Sequence, residues 1–138
     1  FSFDANMVET ADLKPGQPRL LETDNRIVVP VGTVVRVQVT AADVIHAWAM
    51  PAFGVKVDAV PGRLNETWFG PVAKEGIYYG QCSELCGIRH GFMPIAVEVV
   101  SKAKFDAWVI KAQKEFASND TQDSTTIKTR MLASNETK

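Results

Sequence analysis

Between Tyr79 and Pro94 the chain reads Y-G-Q-C-S-E-L-C-G-I-R-H-G-F-M-P, which sets Cys82, Cys86, His90 and Met93 close together and Glu84 between the two thiols. Both cysteines of the protein lie here, with one of its two histidines and one of its four methionines. Two thiolates, an imidazole and a thioether are soft donors, and soft donors suit copper far better than magnesium or calcium. The stretch points to a copper site.

A mononuclear blue-copper centre uses one cysteine, two histidines and a weak axial methionine. This loop holds one cysteine too many for that. If both sulfurs face one point, the economical arrangement is two metal ions bridged by two thiolates. Each ion then takes one histidine and one weak ligand. His90 and Met93 are local, and the second imidazole must be His46, the other histidine of the chain. The remaining weak ligand could be a backbone carbonyl between the cysteines, where Glu84 sits. A sulfur-bridged pair spreads one electron over both metals, so little geometry changes on reduction and transfer is fast.

Other chemistries fit parts of the same set. Cys82, Cys86, His90 and His46 also make a tetrahedral zinc site, which leaves Met93 as packing. A disulfide across four residues constrains the unfolded chain little, although an oxidising compartment permits one. A cysteine nucleophile needs a histidine oriented by a third group, and two equivalent cysteines flanking an acid are a poor match. A thioredoxin-type motif needs Cys-x-x-Cys opening a helix, which neither the spacing nor the surrounding pattern supplies.

The elements that must position these residues are mostly strands. Val35, Val37 and Val39 alternate with Arg36, Gln38 and Thr40, and Ile95, Val97 and Val99 alternate with Ala96, Glu98 and Val100, the period-two pattern of strands. Shorter strands are expected at Phe1–Met7, Arg26–Pro30, Asp43–Met50, Val55–Val60, Asn65–Phe69 and Gly76–Tyr79, punctuated by Pro and Gly. After Ser101 the period changes. Phe105, Trp108, Val109, Ala112 and Phe116 fall on one face of a helix that Ser101 caps. From Ser118 onward Ser, Thr, Asn and Asp dominate, which reads as a flexible polar tail. The expected fold is all-β: a Greek-key barrel or sandwich over residues 1–101, a terminal amphipathic helix over 102–117 and a tail over 118–138.

At 138 residues the chain is long enough for one domain with a real core. A net charge of −1 without a Lys/Arg run argues against a nucleic-acid partner. The longest apolar run, Ile27 to Val39, is broken by Pro30, Gly32 and Arg36 and is no membrane span. Phe1 follows no signal-like leader, so the chain reads as a mature or excised piece.

Four stretches carry a family resemblance: the loop from Tyr78 to Ile95, D-V-I-H-A-W from Asp43, K-V-D-A-V-P-G-R-L-N from Lys56 and L-L-E-T-D-N-R-I-V-V-P from Leu20. In colinear order they resemble cytochrome c oxidase subunit II. The resemblance implies a cupredoxin-type barrel carrying the dinuclear CuA centre, with Cys82 and Cys86 as bridges and His46, His90, Met93 and the Glu84 carbonyl completing it. It also implies that the Glu84 side chain faces a magnesium or manganese ion shared with subunit I. Electrons would arrive from cytochrome c and pass to haem a in subunit I, within a complex that reduces oxygen and translocates protons. Asp24, Asp43 and Asp58 match family carboxylates that would dock a basic cytochrome c. A membrane-anchoring N-terminal part of subunit II, in the same chain or a separate polypeptide, is a further partner. The implied location is the outer face of a respiratory membrane, bacterial periplasmic or mitochondrial intermembrane.

Overall fold

The computed structural model describes residues 1–133, with side chains as far as Ala117. Seven strands form close to where alternation places them: β1 (Ile27–Pro30), β2 (Val35–Val39), β3 (His46–Met50), β4 (Val55–Ala59), β5 (Asn65–Phe69), β6 (Gly76–Cys82) and β7 (Pro94–Val100). Five of them make one sheet in the order β1-β7-β6-β3-β4, and β2 pairs with β5 in an antiparallel ribbon. Within the larger sheet β1 runs parallel to β7, and the other pairs are antiparallel. β7 lies between β1 and β6 and carries the most buried side chains of any strand, Ala96, Val97, Val99 and Val100 among them.

The core lies where Val29, Met50, Val97 and Val99 of the larger sheet meet Phe69 of the ribbon. The Phe69 ring stacks on Trp48 and Phe53, with ring centroids 6.1 and 4.4 Å away, and Phe53 leans on Tyr78 at 4.9 Å. These aromatic contacts fasten ribbon to sheet through a large apolar area. Gly80 answers a different need. A side chain at this β6 position would run into the Ala49 carbonyl of β3, so only glycine lets the two strands approach.

All seven strands belong to one compact unit, Ala5–Phe105. The other unit comprises Phe1–Asp4 and the chain from Asp106. The helix α1 (Lys102–Ala133) starts as expected: the Ser101 carbonyl accepts the Phe105 N–H at 2.9 Å, and its hydroxyl accepts the Lys104 N–H at 3.4 Å. It does not stop at Ala117. Residues 118–133 hold neither Gly nor Pro, so nothing in the chain breaks the helix there. Residues 134–138 of the expected tail lie outside the described residues. The strand expected at Phe1–Met7 is also absent, apart from an isolated bridge between Met7 and Thr23. Instead Phe1 stacks on Phe116, Phe3 leans on it at a tilt, and both meet Trp108 edge-on, so their alternation serves an aromatic cluster rather than a sheet.

One buried charge organises the segment before β1. Glu22 has no exposed surface, yet its carboxylate receives Arg26 through Nε at 2.9 Å and a terminal nitrogen at 2.8 Å, and the Tyr79 hydroxyl at 2.8 Å. Arg26 also reaches Glu98 of β7 at 3.4 Å. The Arg26 hydrogen bond outweighs burial and holds the Glu22 pKa below its ordinary value, while burial and then Glu22 push the Tyr79 phenol up to about 12. Because Glu22 is depressed in the folded state, its contribution is complete above its unfolded pKa and is lost as pH falls through the folded value. Tyr79→Phe is expected to lower stability by about 2 kcal/mol in denaturant titrations, as for a lost hydrogen bond to a charged group. Glu22→Gln should flatten the fall of stability with acid; an unchanged acid profile would show that Glu22 is not the group responsible.

Candidate metal centre

The candidate ligand residues come from two places that the sheet makes adjacent. β6 ends at Cys82, β7 begins at Pro94, and β3 opens with His46. β3 and β6 pair through Trp48 with Cys82 and Ala49 with Gln81, which puts His46 beside the end of β6. The Ser83 N–H donates to the Ala47 carbonyl at 3.2 Å, continuing that contact into the loop. The Cys82 N–H donates to the Met93 carbonyl at 3.1 Å and closes the base of the loop. A 3-10 turn at His90–Phe92 then swings His90 back toward the cysteines.

Six donor atoms converge as a result. Cys82 Sγ lies 3.8 Å from Cys86 Sγ, far beyond a disulfide bond, and both cysteines are free. Since a metal–thiolate bond is about 2.3 Å, one ion can touch both sulfurs. His46 Nδ1 is 3.9 Å from Cys82 Sγ, and His90 Nδ1 is 3.5 Å from Cys86 Sγ. Met93 Sδ stands 3.6 Å from Cys86 Sγ, and the Glu84 carbonyl oxygen 3.3 Å from Cys82 Sγ. The ligand atoms of His46, Cys82 and Cys86 all fall within 4.8 Å of one another, a grouping able to hold a metal ion. Cys82 is buried, Cys86 and both histidines are half-buried, and Met93 is 37% exposed.

The electrostatics favour a metal-ready thiolate. Burial pushes the Cys82 thiol up, but backbone hydrogen bonds at Ala47 and Glu84 and the side chains of His46 and His90 together bring it down to about 6. Burial and the neighbouring Cys82 sulfur raise Cys86, because two thiolates this close repel. His46 Nε2–H donates to Asp43 Oδ1 at 2.8 Å. That bond raises the His46 pKa and lowers that of Asp43. It also fixes the tautomer, leaving the Nδ1 lone pair turned toward Cys82.

The three aspartates expected to dock a partner have different surroundings. Asp43 orients His46, a use that its D-x-x-H spacing signals but that sequence reasoning did not assign. Asp24 spends its carboxylate on the Asn6 N–H at 2.7 Å, the Asn6 amide at 3.2 Å and the Asn25 N–H at 2.7 Å. Asp58, on β4, borders a shallow hollow of about 560 Å³ with Arg63 and Glu66. Of the three, Asp43 alone lines the larger open cavity, about 980 Å³, which adjoins the ligands and has Ala5, Asn6, Met7 and Glu9 in its wall. Exposed apolar side chains accompany the ligands in sequence, among them Ile45 at 47%, Leu85 at 81% and Ile88 fully exposed.

A two-sheet β domain with soft ligands clustered where one loop meets a neighbouring strand is a cupredoxin-like domain. The chain belongs to the cytochrome c oxidase subunit II family, whose periplasmic-domain model matches residues 1–100. It is 60% identical over 118 residues to the probable cytochrome c oxidase subunit 2 of Rickettsia bellii, covering 86% of this chain and 44% of that protein. The chain thus spans less than half the length of that curated relative. The periplasmic domain of subunit II of cytochrome oxidase from Bradyrhizobium japonicum superposes with a TM-score of 0.76 at 61% identity, over 83% of this chain and 78% of that one. A second solved structure, the mixed disulfide intermediate between a thioredoxin-like protein and subunit II of cytochrome c oxidase, gives 0.67 at 60% identity over 83% and 76%.

Asp43→Asn should bring the His46 pKa of the metal-free chain down toward the ordinary 6.5, read by NMR titration. The same variant should weaken metal binding about 10- to 100-fold, the usual effect of removing a carboxylate behind a ligating histidine. An unshifted His46 titration would show that Asp43 does not hold the ring in solution.

Proposed function

We propose that this domain is the electron-entry module of a haem-copper oxidase and holds a dinuclear copper centre. The observation that carries the reading is the convergence of two thiolates, two imidazole Nδ1 atoms, a thioether and a carbonyl on one spot. A closed zinc tetrahedron needs four of these and leaves the Met93 sulfur and the Glu84 carbonyl without a reason to face inward. Two ions held by Cys82 and Cys86 would draw on all six donors, with His46, His90, Met93 and the Glu84 carbonyl as the remaining ligands. When bound, copper supplies a one-electron carrier.

The residues do the rest. Cys82 is set as a thiolate near neutral pH, Cys86 gives up its proton on metal binding, and Asp43 keeps the His46 lone pair inward. The strand pairing and loop-base bonds fix the donors in advance, so a change of charge meets little rearrangement. Exposed Leu85 and Ile88 give the loop an apolar face for a redox partner. Cytochrome c is the proposed donor, with Asp58 the most available of the three carboxylates for steering it, and haem a of subunit I is the proposed acceptor. The Glu84 side chain, half-buried beside the cysteines, is the proposed contact to a magnesium or manganese ion at the subunit I boundary. The periplasmic-domain match supports a position on the outer face of a respiratory membrane. Among the described residues no helix is long and apolar enough to cross a membrane.

A second reading concerns the same sulfurs before metal arrives. A relative has been trapped in a mixed disulfide with a thioredoxin-like protein. Were Cys82 and Cys86, 3.8 Å apart and free here, joined as a disulfide, a dithiol partner would restore them by exchange: one partner thiolate attacks a sulfur and forms a mixed disulfide, the partner's second thiol displaces the remaining cysteine, and the partner leaves as the disulfide.

Copper content with optical and electron-spin-resonance spectra of the loaded chain tests the main reading. Two coppers per chain and a seven-line hyperfine pattern are expected from one electron shared over two equivalent nuclei. Cys82→Ser and Cys86→Ser should each abolish that pattern, whereas Met93→Leu should keep both coppers and shift the reduction potential. Uptake of a single zinc with no affinity for copper would overturn the electron-transfer account.

A further inference from the structure

One wall of the cavity beside the metal ligands is neither strand nor helix but the segment Ala5–Glu9. The opposite walls include His46, Cys82, Cys86, His90 and Met93. Ala5, Asn6 and Glu9 are exposed, and Met7 and Val8 are half-buried, so little apolar packing keeps the segment in place.

Its hold is a short set of hydrogen bonds to three consecutive residues. The Val8 N–H donates to the Glu22 carbonyl at 2.9 Å, and the Asp24 N–H donates to the Asn6 carbonyl at 2.9 Å. The Asn6 N–H and side-chain amide donate to the two Asp24 carboxylate oxygens at 2.7 and 3.2 Å. Met7 bridges to Thr23 between them. The far side of this contact is firm: Glu22 and Thr23 are buried, and Arg26 and Tyr79 clamp the Glu22 carboxylate from β1's approach and from β6. The near side is not. A segment with few apolar contacts and exposed backbone hydrogen bonds opens at a free energy well below that of global unfolding.

We propose that Ala5–Glu9 is a strap that gates metal exchange. Closed on Glu22–Asp24, it walls the cavity and slows the departure of ions from the cysteines; released, it opens a path to them. Met7 adds a thioether to that wall, a donor for the same soft ions. The gate acts on metal loading and loss rather than on the assembled centre, because none of the strap's bonds ends on a ligand residue. This inference rests on the copper reading of the site.

The test uses the full chain loaded with copper, reduced, and mixed with excess bathocuproine disulfonate, with copper release followed optically. Hydrogen exchange of the amides at positions 6 and 24 is followed in parallel. Asp24→Ala removes both side-chain acceptors for Asn6, and Asp24→Ala combined with Val8→Pro also removes the Val8 donor. The expected result is an unchanged spectrum of the loaded centre, faster exchange at both amides, and copper release accelerated about tenfold, the effect of losing one charged hydrogen bond from the closed state. The double variant should release faster still. Accelerated amide exchange with copper release at the wild-type rate would overturn the gate. Unaccelerated exchange in both variants would show that these bonds do not hold the strap, and the proposal would fail there. A changed spectrum would assign faster release to disturbed ligands instead of an opened wall. A wild-type chain that takes up no copper removes the copper reading, and the gate with it.

Discussion

The short contact between β3 and β6 is the constraint on which the site depends. It has two register pairs, Trp48 with Cys82 and Ala49 with Gln81. Yet it joins the two parts of the chain that carry ligands and sets where His46 stands relative to both sulfurs. Gly80 permits it, because any side chain there meets the Ala49 carbonyl and drives the strands apart. The Ser83 N–H to Ala47 bond extends it into the loop, and Phe69 stacked on Trp48 supports it from the opposite sheet. A displacement of β3 by a fraction of a strand spacing would carry His46 away while leaving Cys86, His90 and Met93 in place. The loop supplies the donors, and the sheet decides whether they form one site.

Electrostatics then divides labour between two sulfurs of identical chemistry. Cys82 ends a strand, is 8% exposed, and is met by backbone and imidazole donors that outweigh the cost of burying its charge. Cys86 stands in the loop and feels its neighbour's charge, so its proton stays until a metal cation replaces it. Burying two adjacent thiolates without a cation is unfavourable; holding one ready and the other protonated is a stable compromise. Asp43 completes the balance from outside. Its carboxylate sits in solvent, where charge is cheap, and acts through His46 on an inward-facing lone pair.

Much of this was legible in the chain. The strands at Val35–Val39 and Pro94–Val100 follow from alternation, and the candidate donors from the scarcity of Cys and His: with two of each, few constellations exist. What escaped sequence reading depends on partners distant along the chain. Phe1 and Phe3 alternate like a strand, but aromatic rings on a helix face, Trp108 and Phe116, claim them first. Asp24 reads as an exposed docking acid until Asn6 is brought beside it. Glu22 sits in an ordinary acidic stretch, and nothing local says that it is buried; Tyr79 and Arg26 supply the reason. The helix runs past Ala117 because polarity alone does not end a helix when no Gly or Pro intervenes.

Rigidity and access make opposite demands on such a site. Electron transfer is served by donors fixed before the metal arrives, and the strand pairing, the loop-base bond from Cys82 to Met93 and the Asp43–His46 pair all act in that direction. Metal entry needs an opening. The fold separates the two by placing them in different bond sets: the ligands hang from the sheet, while the wall opposite them hangs from Glu22–Asp24 by bonds that touch no ligand. Glu22 links the sets through Tyr79, three residues before Cys82 on the same strand, and through Arg26, which reaches Glu98 of β7. On the proposed gate, loosening the wall leaves the donors where they are, and the buried Glu22 carboxylate behind the wall's anchorage takes part in how a metal would enter.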